Sequence, residues 1–342
     1  MSADNLDRYV RQTIFPGVGV EGQRRLLSAK AVVVGCGALG SSLANLLARA
    51  GIGKLVIVDR DFIELNNLQR QVLYDEDDLA RNLPKAVAAA GKLRRINSQI
   101  SVEPVVADVS SENVESLIQG AGVVLDGTDN LDTRYLINDA CVKHDIPWVY
   151  GGAIASTGMS MTIRPHAGPC LRCLYRTPPR AGTLDTCDTA GVVAPIIQVI
   201  SAWQAAEAMK LLVGRGKLNE GLLHFDVWEN TCEQYKVERR ADCPTCVQHQ
   251  FSYLDARAGA VTTALCGRNA VQVRVRDTQP LALDALQRKL APAVSDLRAN
   301  DYMLRFKVDH YEVSVFPDAR AIIQGTDDES VARSLYARYI GS

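Results

Sequence analysis

The chain has 342 residues, 47% of them apolar and 23% charged, enough for one or two globular domains with ample core. Its 38 Lys and Arg stand against 39 Asp and Glu, a formal charge of −1, so no bulk field draws in a polyanion, and neither a nucleic acid nor a membrane is expected as a partner. The opening MSADNLDRYVRQTIF lacks the pattern of a secretory signal, and the apolar stretch Pro195 to Val213 is interrupted by Gln198, Ser201, Gln204, Glu207 and Lys210, so the expectation is a soluble cytoplasmic protein.

The first half alternates strand and helix signals in the manner of a doubly wound parallel sheet. Ala31 to Val34 is an apolar run short enough for a buried strand, followed by the glycine turn Gly35 to Gly40 and a helix ending near Ala50. Lys54 to Asp59 predicts a second strand, Pro84 to Ile96 a helix with Pro at its opening, and Ser101 to Val106 a third strand. A short helix at Glu112 to Gln119, a strand at Val123 to Asp126, a helix at Asp132 to His144 and an extended Trp148 to Ile154 follow. Beyond Arg164, prolines and glycines crowd into a long loop; then come a helix at Pro195 to Val213 and strands at Leu222 to Asp226 and Cys232 to Val237.

The alternation changes near residue 250, which divides the chain into 1–250 and a small α+β unit, 251–342, of unassigned role. Its expected elements are a strand at Val271 to Val275, a helix at Leu283 to Leu290, strands at Tyr302 to Val308 and Tyr311 to Phe316, and a helix at Asp328 to Tyr339.

Gly35-x-Gly37-x-x-Gly40 lies between a strand and a helix, with Asp59 at the end of the next strand, the setting of a nucleotide-binding turn. Glycines let the backbone approach a ligand, the helix N-terminus offers N–H groups, and the carboxylate suits ribose hydroxyls. The motif alone does not choose NAD over ATP. Asp59 to Gln71 is too polar for a strand and reads as a loop at the carboxyl edge of the sheet. Arg70 there can grip phosphate bidentately, and Lys85 near a helix start supplies a point charge. Singly, each cation is more often a solvated surface residue, and Asp129 reads equally well as a helix cap; beside phosphate-binding cations Asp129 becomes a Mg²⁺ ligand.

Of nine cysteines, four form two C-x-x-C pairs, Cys170/Cys173 and Cys243/Cys246, which match a four-thiolate structural zinc site once the fold brings them together. Redox chemistry at one pair is the competing reading. Cys187 sits in a loop before a helix, a candidate nucleophile, whereas Cys36 and Cys141 lie in apolar or helical patterns and read as buried small hydrophobes.

Residues 5 to 248 resemble the ThiF/MoeB/HesA family, bacterial relatives of ubiquitin-activating enzymes. The resemblance is carried by Arg8-Tyr-x-Arg11-Gln, the glycine turn, Asp59-x-Asp61, Asn67-Leu-Gln-Arg70-Gln71, Pro84-Lys85-Ala86, Thr128-Asp129-Asn130, Thr186-Cys187 with Gly191-Val192, and both cysteine pairs. It implies a Rossmann-like homodimeric enzyme that uses ATP and Mg²⁺ to adenylate the C-terminal glycine of a ubiquitin-like sulfur-carrier protein ending in Gly-Gly, with release of pyrophosphate. The sulfur would serve thiamine, molybdopterin or thio-nucleoside biosynthesis. By that resemblance Asp59 binds the ribose, Asn67, Arg70 and Lys85 the phosphates, and Asp129 the Mg²⁺. Gly35, Gly37, Ala38, Gly40, Asp61, Asn66, Gln71 and Asn130 complete the ATP set. Arg11 reaches the γ-phosphate of the partner subunit's ATP, and Cys187 matches a loop cysteine that in some members bonds to the carrier. Ala38 stands where many members have glycine, and Arg81-Asn82 replaces a glycine often found before Pro-Lys; neither change removes a charged group. An NAD-dependent oxidoreductase leaves Arg11, Arg70, Lys85 and Asp129 unexplained, and a non-catalytic adaptor for ubiquitin-like proteins leaves the whole nucleotide set without a purpose.

Overall fold

The computed structural model of the protein describes residues 6–177, 187–255, 262–265, 269–273 and 281–340. The chain divides into two compact units, Met1–Arg257 and Ala258–Ser342.

The first unit opens with a 3-10 turn, Asp7–Tyr9, and helices α1 (Val10–Thr13) and α2 (Gly19–Ser28). The sheet then builds through β1 (Lys30–Val34), α3 (Ala38–Ala50), β2 (Lys54–Val58), α4 (Glu76–Ala80), α5 (Lys85–Ile96) and β3 (Ser101–Val105). It continues through α6 (Val114–Ile118), β4 (Val123–Asp126), α7 (Leu131–Lys143), β5 (Trp148–Ile154) and β6 (Thr157–Ile163). After α8 (Leu171–Leu174), α9 (Cys187–Ala190) and α10 (Ala194–Val213) come β7 (Gly221–Asp226), β8 (Thr231–Lys236) and α11 (Ser252–Asp255).

The eight strands lie in the order β3-β2-β1-β4-β5-β6-β7-β8. The first five are parallel, whereas β6, β7 and β8 run antiparallel, so the sheet is mixed rather than parallel throughout. Both faces of the parallel part are covered. Ala31 and Val33 pack into a cluster with Leu43 and Leu47 of α3 and Leu93 of α5, while Val32 and Val34 face Tyr135 and Ile137 of α7. A continuous apolar run is what a strand buried on both sides requires. Pro104, without an N–H, sits on the edge strand β3, where the missing donor costs no ladder bond.

The helix α10, although long and apolar, is a core helix. It buries Ile196, Ile197, Ile200 and the polar Ser201, Gln204 and Glu207, with Pro195 in its first turn and Gly214 in the left-handed conformation at its end. The strand β6, a stretch to which the sequence reading assigned no element, follows β5 after a two-residue turn. A Cβ on its Gly158 would lie 2.4 Å from Ile200 Cγ1, so glycine there admits α10 against the sheet.

In the second unit, β9 (Thr262–Leu265), β10 (Ala270–Val273), α12 (Leu283–Leu290), β11 (Ser295–Asn300), β12 (Met303–Val308), β13 (Tyr311–Val315), β14 (Ala321–Gln324) and α13 (Glu329–Tyr339) follow in order. The strands form one antiparallel sheet, β11-β12-β13-β14-β10-β9. Its core gathers Val271, Leu286, Phe306, Val313, Ile323 and Tyr336. The expected strand to Val275 is described only as far as Val273, and Cys266 lies outside the described residues.

Candidate active site

The strand β1 lies between β2 and β4, so successive crossovers leave in opposite directions and a crevice opens past the carboxyl ends of β1 and β4. Gly35 turns the chain out of β1 at φ +86. A Cβ on Gly40 would lie 1.8 Å from the Gly35 carbonyl oxygen, and one on Gly127 would lie 2.6 Å from the same atom. Three glycines thus let the first turn of α3 press against the ends of two strands. Gly37 differs, because the nearest atom to a Cβ there is Gln71 Nε2 at 3.8 Å, which leaves its backbone open to a ligand. Ala38 begins α3, whose N-terminus therefore lies beside the crevice.

Asp59 follows β2, and its carboxylate accepts the Cys36 N–H at 2.5 Å and the Asp61 N–H at 2.7 Å. Burial raises its pKa against the opposing pull of Lys85. Lys85 opens α5 with its side chain 5% exposed and its Nζ 3.5 Å from Asp61 Oδ2. A buried ammonium is stable only beside an anion, and Asp61 is that anion in this chain. The Tyr74 hydroxyl donates to the Cys36 carbonyl at 2.7 Å, tying the loop to the glycine turn. The Cys36 thiol is fully buried, and burial with the neighbouring Asp59 pushes its pKa up to about 12.

The polar loop contains a 3-10 turn at Leu65–Asn67. Asn67 is buried in it: its Oδ1 accepts the Glu64 N–H at 3.2 Å and its Nδ2 donates to Asn66 Oδ1 at 2.7 Å. Arg70 Nη1 donates to the Asn66 carbonyl at 2.7 Å. Gln71 is 4% exposed, and its buried Oε1 has no hydrogen-bond partner among the described residues, an acceptor beside the open face of Gly37.

At the end of β4, Asp126 is fully buried and accepts from Arg134 Nε at 2.9 Å and from the Thr128 N–H and hydroxyl at 2.9 and 2.7 Å. Arg134 Nη2 also donates to the carbonyls of Thr128 at 2.7 Å and Gly151 at 3.0 Å. Burial works against its charge, but Asp126, Tyr150 and Asp129 together outweigh it and keep the guanidinium protonated. From the other side, Gln204 Nε2 donates to the carbonyls of Asp126 and Val149 at 2.9 and 3.1 Å. The Asp126 to Asp129 loop is thereby fixed from two helices. Asn130, not Asp129, caps α7 by accepting the Thr133 N–H at 2.8 Å. Asp129 is exposed directly before the cap. Sequence reasoning passed over Arg134 and noted Gln204 only as a polar break in an apolar stretch, not as a site residue; their one signal is a strongly polar residue at a helical position otherwise suited to the core.

The two cysteine pairs meet. All four Sγ atoms of Cys170, Cys173, Cys243 and Cys246 lie within 4.8 Å of one another, and all four residues are buried. Contacts across the pairs are 3.6 Å for Cys170 with Cys243 and 3.5 Å for Cys173 with Cys246. A tetrahedral zinc with Zn–S near 2.3 Å requires sulfurs about 3.8 Å apart, so the donor set and spacing fit that ion. Within the cluster, thiol hydrogen bonds from Cys170 and Cys246 favour the Cys173 thiolate, while Cys170 and Cys246 themselves are held toward the thiol form.

Arg11 is exposed on α1, flanked by Val10, Ile14 and Phe15 that are 44%, 66% and 62% exposed. Gln12 Nε2 donates to the carbonyl of Ala50, anchoring α1 beside the far end of α3 from the glycine turn. Cys187 opens α9, and its side chain lies outside the described residues, as does Thr186.

Among known proteins, this chain is 40% identical over 336 residues to a sulfur carrier protein ThiS adenylyltransferase of Bacillus subtilis, covering 98% of this chain and 99% of that one. It is 44% identical over 247 residues to a SAMP-activating enzyme E1 of Haloferax volcanii, covering 72% and 90%. A crystal structure of E. coli MccB with MccA-N7isoASN superposes with a TM-score of 0.63 at 24% identity over 72% of this chain and 76% of that one, a likeness of fold alone. Residues 9–245 match the ThiF family, and with relatives this similar over this length the chain belongs to that family.

Proposed function

We propose that the chain uses ATP to adenylate the C-terminal glycine carboxylate of a ubiquitin-like sulfur carrier and releases pyrophosphate. The observation that carries this reading is the convergence, at the ends of β1, β2 and β4, of an open glycine backbone, a carboxylate beside it, a buried lysine and an exposed aspartate on a doubly braced loop.

In the reaction, a carrier carboxylate oxygen forms a bond to the α-phosphorus, the bond from that phosphorus to the α–β bridging oxygen breaks, and pyrophosphate leaves with the electron pair. The nucleophile is already ionised, so no general base is needed. What the protein supplies is orientation and positive charge where two anions must meet. Asp59 holds the ribose, Gly37 and the N-terminus of α3 face the phosphates, and Lys85 and Arg70 supply charge along the polyphosphate. Bound at Asp129, Mg²⁺ would neutralise phosphate charge. The thiolates of Cys170, Cys173, Cys243 and Cys246 would hold a zinc ion in a structural role, since the chain itself offers four ligands and leaves none to be supplied by a substrate.

The active form is a homodimer in this proposal. Thirteen residues make α3 about 20 Å long, and α1 is anchored at its far end, so Arg11 cannot serve its own glycine turn and serves the partner's. Exposed Ile14 and Phe15 beside it supply apolar contact area for that partner. The carrier is of the ThiS class, because similarity to the Bacillus subtilis relative runs through the second unit as well as the first. Cys187 acts after adenylation, in sulfur transfer. Carrier-dependent ATP–pyrophosphate exchange tests the reading: Asp129→Ala should abolish it with the fold intact, and near-normal exchange would refute the assignment.

A further inference from the structure

Two adjacent residues on α7, Asn138 and Asp139, are both 0% exposed and have no part in the nucleotide crevice. Each reaches a different cysteine loop. Asn138 Oδ1 accepts the N–H of Leu171, the residue directly after Cys170, at 2.9 Å. Asp139 Oδ1 accepts the hydroxyl of Thr245, which stands between Cys243 and Cys246 and is itself 0% exposed, at 2.8 Å. The other carboxylate oxygen accepts the Tyr253 N–H at 3.0 Å, and the Tyr253 ring stacks on Tyr135 of the same helix with centroids 4.8 Å apart and planes 9° apart. Tyr135, Asn138, Asp139 and Val142 are spaced i, i+3, i+4 and i+7, so one face of a single helix grips both loops.

We propose that Asn138 and Asp139 are positioning residues that hold the two cysteine loops in register, so that the four thiols converge before the metal arrives. The physical need is plain, because Cys170 and Cys243 are 73 residues apart in the chain and each pair alone supplies half a tetrahedron. Neither residue ligates; each fixes a backbone or hydroxyl next to a ligand, and outer partners of this kind are worth roughly 10–100-fold in metal affinity.

The proposal rests on the reading of the cysteines as a zinc centre, and the experiment separates the two. Zinc content of the full chain is measured first; a wild-type chain without zinc removes the metal reading itself. Zinc release from the loaded protein to excess chelator is then followed with a chromophoric indicator, alongside the thiolate-to-metal absorption of the cobalt-substituted protein. Asn138→Ala and Thr245→Val should release zinc at least tenfold faster than wild type and alter the cobalt spectrum. Thr245→Val exchanges the hydroxyl that Asp139 holds for a methyl of similar size, and Thr245→Ser, which restores the hydroxyl, should return release to near the wild-type rate. Release within twofold of wild type in both Asn138→Ala and Thr245→Val, or failure of Thr245→Ser to rescue, would overturn the assignment.

Discussion

Gly40 sits directly under the carbonyl of Gly35, so close that a methyl group on it would lie 1.8 Å from that oxygen. No rotamer can relieve a clash between a Cβ and backbone. Gly40→Ala should therefore cost about 3 kcal/mol of stability, read as a lowered denaturant midpoint at constant slope. Gly37→Ala meets only Gln71 Nε2 at 3.8 Å and should fold with near-normal stability, yet lose at least tenfold in ATP affinity by calorimetry. Equal stability loss in the two variants would show that the turn is packed for closeness alone.

Arg134 is a buried cation with three fixed partners, and its removal strands the Asp126 carboxylate. Arg134→Ala should destabilise the protein by about 3–5 kcal/mol. Arg134→Lys keeps the charge but not the planar fork, so exchange activity should fall more than stability. A lysine variant with full activity would mean that the Asp129 loop needs charge only.

Thiol titration gives a pH test. The folded pKa of Cys36 is raised from 9.0 to about 12, so between those values the unfolded chain releases a proton that the folded chain keeps. The unfolded state then binds fewer protons, and stability falls as pH rises through that window, by about 1.4 kcal/mol per unit for one such group. Cys36→Ala should flatten the alkaline loss by that slope. Iodoacetamide at pH 8 should leave Cys36 and Cys141 unmodified, since both are fully buried with raised pKa values, and label exposed Cys232. An unchanged alkaline slope in Cys36→Ala would contradict the assignment.

The proposed sharing of each site between two subunits predicts complementation. Mixing Arg11→Ala with Asp129→Ala chains, each inactive alone, should restore roughly a quarter of wild-type exchange, because half of randomly paired dimers hold one intact site of two. No recovery after verified subunit mixing would place Arg11 outside the partner's site.

How much of this was legible in the sequence follows from how each residue acts. The strands β1, β2 and β4 are continuous apolar runs because both faces are buried, and their bounds are close to those read from sequence. The helix Leu283–Leu290 and the strands Met303–Val308 and Tyr311–Val315 likewise carry clean periodicity. The strand β11, Ser-Asp-Leu-Arg-Ala-Asn, is an exposed edge whose residues do not alternate, and nothing local marks it. The meeting of the two cysteine pairs was legible from ligand type. Their anchors on α7 were not, because hydrogen bonds from Leu171, Thr245 and Tyr253 to Asn138 and Asp139 exist only once the chain is folded.

The central claim is tested most directly by mass spectrometry of the carrier. Purified chain, ATP and Mg²⁺ are incubated with each small Gly-Gly-ending protein of the host, and the intact carriers are weighed. A ThiS-class carrier bearing one adenylyl group, absent without ATP and absent with the Asp129→Ala chain, is the predicted result. No adenylated carrier with any partner, while the folded chain binds NAD(H) tightly and ATP not at all, would contradict it.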